Sequence, residues 1–538
     1  MPWPPAKLEH PESMMQSAGI EIRSTNPVDP RHSQTQDENY RHSPELLSPE
    51  VEYREKQQLD RYLSFLASLA FSATLLASWE TTGGGLLAGL YNGGPAAIVY
   101  GLIISITGNL AIALSLAELA SVHPTAGAQY HWTYILAPCF PRFFSFCQGE
   151  FMDDAVVFSW SALVCIAPFF IGTQIEGMIK LAHPDYEVHG WRSTLLMWAV
   201  SVIPIIVNVF ARRILAVVEI AAGIMHIVFM PIIIGLISHA PRNSHTFVWD
   251  TFISGLSGWD NPGVVFSIGL LGVITPLSGI DGIIHMAEEV KNAKVTIPRS
   301  MVWGTVINGV MAFGYAIAIL YLMGSYADAL MTPTGYPIIE IAYQATGSKS
   351  ATYMLMATGM LPGWIAFFNG LASVTRLTWA FARDNGLPFS DFFVQIDPRF
   401  KIPLRALFLV SSCIFVLSFI QTGSTAAFNA ILSLSTLGLY MSYLFPLVFL
   451  VIARFTRHDI PTGPFNLGKM GLPLNLAAIL SASYFAVFLP FPPTLPVTAQ
   501  NMNFSGPVLG FIMVLSCIDW AVRGRHRWKG PTMRYPRG

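Results

Sequence analysis

The apolar positions of this chain come in long runs. Scanning for stretches near 20 residues, the length a helix needs to cross the hydrocarbon layer, predicts about twelve membrane-spanning helices. They lie near residues 62–90, 96–121, 147–178, 193–211, 214–238, 262–287, 302–323, 352–380, 404–422, 427–453, 473–490 and 507–522. Two of these runs are interrupted by polar and helix-breaking residues. The first carries Ser78-Trp79-Glu80-Thr81-Thr82-Gly83-Gly84-Gly85, and the sixth carries Thr275-Pro276-Leu277-Ser278-Gly279-Ile280-Asp281. Backbone without helical hydrogen bonds survives at membrane depth only where it lines a cavity or is buried in protein, and an intramembrane carboxylate is similarly restricted. Paired broken helices in corresponding halves of a chain are the sequence pointer to a transporter's substrate site.

Composition agrees: 538 residues that are 53% hydrophobic and only 12% charged are too apolar for a soluble protein of this size. The first sixty or so residues are polar, rich in Pro, Ser, Glu and His, and lack the apolar core of a cleavable signal. They are expected to form a disordered cytosolic tail. Arg142, Arg212, Arg213, Lys291, Lys294, Arg299, Arg383, Arg399, Lys401, Arg405, Arg454 and Arg457 then fall in inner loops. The outer connections hold little beyond Lys180, Arg192, Arg242 and Lys349. This asymmetry follows the positive-inside rule and puts both termini in the cytosol. The net charge of -1 gives no reason to expect nucleic acid. Cys139, Cys147, Cys165, Cys413 and Cys517 have no metal-ligand spacing, so no metal site is expected. A nucleophile elbow, a zinc-binding H-E-x-x-H and a phosphate loop are all missing from the sequence, which leaves catalysis without an anchor. Asn503-Phe504-Ser505 is a glycosylation sequon in an expected outer loop.

Candidate chemistry gathers at the breaks. Glu80, about eighteen residues into its run, would cost roughly 2.5 kcal/mol or more facing lipid, so it should face a polar cavity. In the sixth run Pro276 lacks a donor and Gly279 relaxes the backbone. Asp281, His285 and Glu288 stand at helical spacing on one face able to relay protons; for His285, Glu288 and Glu289 the alternative is an interfacial position. Glu150, Asp153 and Asp154 open the third run, either in cytosolic headgroups or in the cavity, where they would attract a cation. His226 reads as a hydrogen-bonded packing histidine. Trp79, Tyr440 and Tyr443 are candidates for holding an ammonium group by cation-π attraction. Arg376 is the main intramembrane base, near the inner end of its helix.

Several blocks carry a family resemblance: Leu90-Tyr91-Asn92-Gly93-Gly94-Pro95, Ser115-Leu116-Ala117-Glu118-Leu119-Ala120-Ser121, Pro124-Thr125-Ala126-Gly127-Ala128-Gln129-Tyr130-His131-Trp132, His285-Met286-Ala287-Glu288-Glu289-Val290-Lys291-Asn292-Ala293, Ala380-Phe381-Ala382-Arg383-Asp384-Asn385-Gly386-Leu387-Pro388-Phe389-Ser390 and Gly463-Pro464-Phe465-Asn466-Leu467-Gly468. Together, in this order, they resemble the amino acid/choline transporter family of fungal permeases, within the amino acid/polyamine/organocation superfamily. The resemblance implies an all-α membrane protein of the leucine-transporter type, with two inverted five-helix repeats and two peripheral helices. Its expected parts are a tail at 1–60, repeats at 61–240 and 241–455, peripheral helices within 456–523 and a basic cytosolic tail at 524–538. It also implies that Ser78 to Thr82 and Thr275 to Asp281 line the pocket. One departure is Gly149-Glu150-Phe151-Met152-Asp153-Asp154-Ala155-Val156, where relatives typically carry a repeated Gly-Trp.

The chain is therefore expected to be a proton-coupled permease for a small amine (amino acid, gamma-aminobutyrate, choline or polyamine-like) that works by alternating access. It needs no cofactor beyond a proton gradient. Substrate contacts are expected from Ser78, Trp79, Glu80, Thr81, Asp154, Thr275, Pro276, Leu277, Ser278, Gly279 and Tyr440, with Glu80 and Asp281 as coupling acids. The setting is a plasma membrane, or alternatively a vacuolar one, with the protein as monomer or homodimer. The alternatives are a non-transporting nutrient receptor on the same scaffold and an exporter of a specialised metabolite.

Overall fold

A computed structural model describes residues 59–153, 156–210, 215–239, 242–456, 460–498 and 501–531. The expected N-terminal tail lies almost wholly outside the described residues, as do Asp154, Arg212, Arg213 and Arg457. The main helices are α1 (Phe65–Leu76), α2 (Ser78–Tyr91), α3 (Gly94–Val122), α4 (Gln129–Leu136), α5 (Pro141–Asp153), α6 (Val156–Ala182), α7 (Gly190–Phe210), α8 (Leu215–Ile237), α9 (Pro262–Ile274), α10 (Ala293–Leu322), α11 (Pro337–Thr346), α12 (Lys349–Arg383), α13 (Leu404–Gly423), α14 (Thr425–Thr456), α15 (Gly471–Phe488) and α16 (Ser505–Asp519). Among the described residues there is no β-sheet, only the isolated bridges Leu63–Val290 and Gly93–Ile253.

Local chemistry sets the helix starts. The Ser64 hydroxyl accepts from the Ala67 N–H ahead of α1, and Ser348 does the same for Ala351 ahead of α12. Asn261 caps α9 through Gly263 and Val264, with Pro262 in the first turn, where a missing N–H does no harm. Eleven helices among the described residues are long and apolar enough to cross a membrane. Several present apolar side chains outward, as α8 does with Val217, Ile224, Ile232 and Leu236. Lipid accepts such a surface and water does not.

The twelfth expected span, the first in sequence, is two short helices. They meet at Ala77, whose φ of 41° and ψ of 48° place it in the left-handed region. The break thus sits just before Ser78, and Gly83, Gly84 and Gly85 stay helical inside α2, contrary to the reading that made them part of the interruption. Their role is packing. A methyl group on Gly85 would lie 2.6 Å from the carbonyl oxygen of Gly272, so glycine lets α2 and α9 touch backbone to backbone. Asn308 of α10 supports the break: its Oδ1 accepts from the Ser78 N–H at 3.2 Å and its Nδ2 donates to the Ala73 carbonyl at 2.9 Å. One amide side chain satisfies a donor and an acceptor near the break.

The sixth span opens where the sequence predicts. After α9 the chain makes a 3-10 turn at Thr275–Leu277, extends at Ser278, passes Gly279 at φ 87° and re-enters a 3-10 turn at Gly282–Met286. A positive φ of this size is open to glycine without a side-chain penalty. The apolar core divides along the same line. α1 contributes Ala67, Phe71 and Leu76 to one cluster, whereas α2 contributes Trp79, Leu86 and Leu90 to another. The C-terminal stretch expected as a tail is partly docked: Trp528 is fully buried against Tyr130, Phe146 and Phe381, and Arg142 donates to its carbonyl.

Candidate functional site at the helix breaks

Between the two breaks and the flanking helices α6, α8, α10 and α12 lies a cavity of about 120 Å³. Of the expected contacts, Trp79, Glu80, Thr81, Thr275, Ser278 and Gly279 line it. Ser78, Pro276 and Leu277 are buried behind that wall, and the Ser78 hydroxyl is committed to the Asn308 carbonyl at 3.0 Å. Tyr440 stands apart, its hydroxyl donating to Asn109 at 3.0 Å. Asp153 ends α5, and its side chain is outside what is described.

Glu80 is the one charged side chain among the described residues of the cavity wall. Its Oε1 lies 2.8 Å from Nδ1 of His226, and the two side chains are 4% and 0% exposed. Its Oε2 has no hydrogen-bond partner among the described residues. The neighbouring Trp79 donates its indole N–H to the His226 carbonyl at 3.1 Å, so consecutive residues of α2 grip a single residue of α8. His226, read from sequence as a packing residue, is therefore the partner of the cavity carboxylate. Around it stand aromatic rings: Trp79, Trp160, Phe170, Tyr315 and Phe367, with Trp79 and Tyr315 centred 5.4 Å apart.

Asp281 is fully buried and does not line the cavity. Tyr443 donates to its Oδ1, Gln129 donates to its Oδ2, and His285 Nε2 approaches Oδ2 at 3.3 Å. Glu288 and Glu289, expected to share a face with it or to sit at the interface, turn to α12 instead. Glu288 pairs with Arg383, and Glu289 with Arg376 at 2.9 Å, where both side chains are at most 5% exposed. These pairs tie the segment after the second break to α12. The cavity lining also takes in Gln174, Ile237, Ile338 and Leu355.

The sequence reading passed over three buried polar groups. Asn308 braces the first break. Glu219 of α8 accepts from Asn369 at 2.9 Å and from Thr74 at 3.4 Å. Glu118 of α3 pairs with Arg454 of α14. Each lies inside or near the end of an apolar run, so the cost argument applied to Glu80 would have flagged the two carboxylates. Outside the spans, burial together with the nearby Lys294 and His131 pulls the His123 imidazole down to about 4. Asn503 caps the start of α16, its Oδ1 accepting from Ser505 N–H at 3.1 Å and its Nδ2 donating to Leu489 at 2.7 Å.

A bundle of lipid-facing helices around a central chamber, with two of its members unwound at that chamber, defines a secondary transporter. Residues 63–514 match the amino acid permease family, and the chain belongs to that family. It is similar to a choline transporter of Saccharomyces cerevisiae, 31% identical over 473 residues that cover 87% of this chain and 82% of that protein. It is also similar to an amino-acid permease of Neurospora crassa, 27% identical with 90% and 87% covered, and to one of Arabidopsis thaliana, 27% identical with 91% and 97% covered. The protein is a multi-span membrane permease, not an enzyme.

Proposed function

We propose that this permease imports a small organic cation of the choline type, driven by protons, across the plasma membrane with both termini in the cytosol. The observation that carries the reading is Glu80. A carboxylate with a spare oxygen, alone in charge on an aromatic wall, suits a monovalent ammonium group, which gains both the ion pair and the ring faces. A polyamine would ask for further carboxylates. An amino acid's own carboxylate would meet Glu80 as a like charge and rely on the free N–H groups at the start of α2. The names of the similar proteins support an amine of one kind or the other. Alternating access then requires the halves of the two broken helices to rock against the remaining bundle. Glu80 and Asp281 are the proposed coupling acids.

The test is uptake of labelled choline by proteoliposomes under an inward proton gradient, with gamma-aminobutyrate as competitor. Choline accumulation that collapses with the gradient and resists a hundredfold excess of gamma-aminobutyrate is expected. Glu80→Gln should raise the choline KM at least tenfold, as loss of a charge-assisted contact worth roughly 1.5–3 kcal/mol implies. Tighter binding of gamma-aminobutyrate than of choline, or an unchanged KM in Glu80→Gln, refutes the cation reading.

A further inference from the structure

The Asp281–His285 pair sits on the inner half of the second broken helix, and its hydrogen bonds can be counted. His285 Nδ1 lies 2.8 Å from the carbonyl oxygen of Ala126, which only accepts, so Nδ1 carries a hydrogen. A neutral imidazole then has a bare lone pair at Nε2. That lone pair faces Asp281 Oδ2 at 3.3 Å with both side chains fully buried. Two acceptors in contact with no hydrogen between them repel, and no water reaches them to relieve it. The contact is attractive only if one proton sits between them, on the imidazole or on the carboxyl.

The surroundings do not supply that proton by other means. α14 brings the Tyr443 hydroxyl, which already donates to Oδ1, and α4 brings the neutral amide of Gln129. α6 brings the edge of Trp160, whose ring is perpendicular to His285 at 5.4 Å. α12 brings Ser373, which donates to the Gly282 carbonyl at 2.8 Å, and Arg376, which is taken by Glu289. α1 meets the segment with the apolar Leu75 at Gly282. These partners come from different parts of the bundle, so whatever holds 281–285 in place also ties those helices together.

We propose that Asp281 and His285 form a proton-retaining latch: one shared proton clamps the 281–285 half of the broken helix to the 126–129 segment and α14, opening of that half exposes the pair to water that accepts the proton, and the contact re-forms only when a proton returns. The inference rests on the proton-coupled reading above and adds to it where the proton acts. With the proton present, the 281–285 segment stays clamped in place. Opening hands the proton to water on that side and leaves the contact repulsive, so a low proton concentration there favours the open form.

Hydrogen exchange of the full-length protein in nanodiscs, followed by mass spectrometry on peptides spanning 278–292, tests the latch without any substrate. After correction for intrinsic rates, exchange in the wild type should be at least threefold faster at pH 8 than at pH 5.5. Asp281→Asn should abolish the difference, because its amide donates to Nε2 at any pH. His285→Gln, with no imidazole to share the proton, should abolish it as well, and serves if the first variant does not fold. Glu80→Gln should keep it. Exchange independent of pH in the wild type, persistence of the difference in a folded Asp281 or His285 variant, or its loss in Glu80→Gln overturns the latch. Because no substrate is present, failure of the choline experiment leaves this result intact.

Discussion

Replacing Arg376 by methionine removes one member of an ion pair that joins α12 to the segment following the second break. The guanidinium Nε lies 2.9 Å from Glu289 Oε1, and the side chains are 5% and 1% exposed. Glu289 Oε2 has no hydrogen-bond partner among the described residues, so the variant leaves a buried carboxylate stripped of its counter-charge. Breaking such a pair from one side costs about 3–5 kcal/mol, because the orphaned charge keeps its desolvation penalty and loses the attraction that offset it. Removing both charges avoids the orphan. Arg376→Met/Glu289→Met is therefore expected to be within about 1 kcal/mol of wild type, with a coupling energy of at least about 2 kcal/mol in the double-mutant cycle. Reversible unfolding by dodecyl sulfate in mixed micelles measures all three variants. Glu289 also receives the backbone N–H groups of Tyr62 and Leu63 on its carbonyl, so the damage should spread to the entry of α1. A single variant that loses less than about 1 kcal/mol, or a double variant as impaired as the single, refutes the claim that this pair is a desolvated structural tie.

Two further outcomes follow from packing and titration. Gly85→Ala places a methyl 2.6 Å from the Gly272 carbonyl oxygen, a backbone atom that cannot swing aside; α2 and α9 must separate, and a loss of about 1–3 kcal/mol is expected in the same unfolding assay. The His123 imidazole, held near 4 in the folded protein by burial, recovers its ordinary value near 6.5 when unfolded. Between those values the unfolded chain binds more protons, so stability falls as pH drops from 6.5 toward 4, by at most about 3 kcal/mol. His123→Gln should flatten that part of the stability profile, and an unaltered acid slope would show that other groups set it.

Much of the plan was legible in advance because it is written locally. A run of apolar residues predicts its own span whatever lies beside it, and Thr275-Pro276-Leu277-Ser278-Gly279 breaks a helix by its own chemistry. The first break was legible only to within a few residues. Glycines at 83–85 suggested an unwound stretch, but they serve close packing, while the left-handed residue is Ala77, which no propensity rule would choose. Asn308 braces the turn by accepting from the N–H of the next residue, Ser78, 230 positions away. Glu80 and Asp281 stood out as misplaced carboxylates, yet their situations differ in a way composition does not reveal: one borders the chamber and the other is sealed beneath it.

The chain alone determined that this protein lives in a bilayer, roughly where its helices run, and that two of them are interrupted, since each of these follows from the solvation of neighbouring residues. Only the tertiary structure decided that Glu80 meets His226 across 146 positions, that Asp281 meets Gln129 and Tyr443 across 152 and 162, and that Arg376 is spent on Glu289. Charge in a low-dielectric interior takes its meaning from the groups within a few ångströms. Those neighbours are assembled by packing of helices distant in sequence, where no local pattern names them.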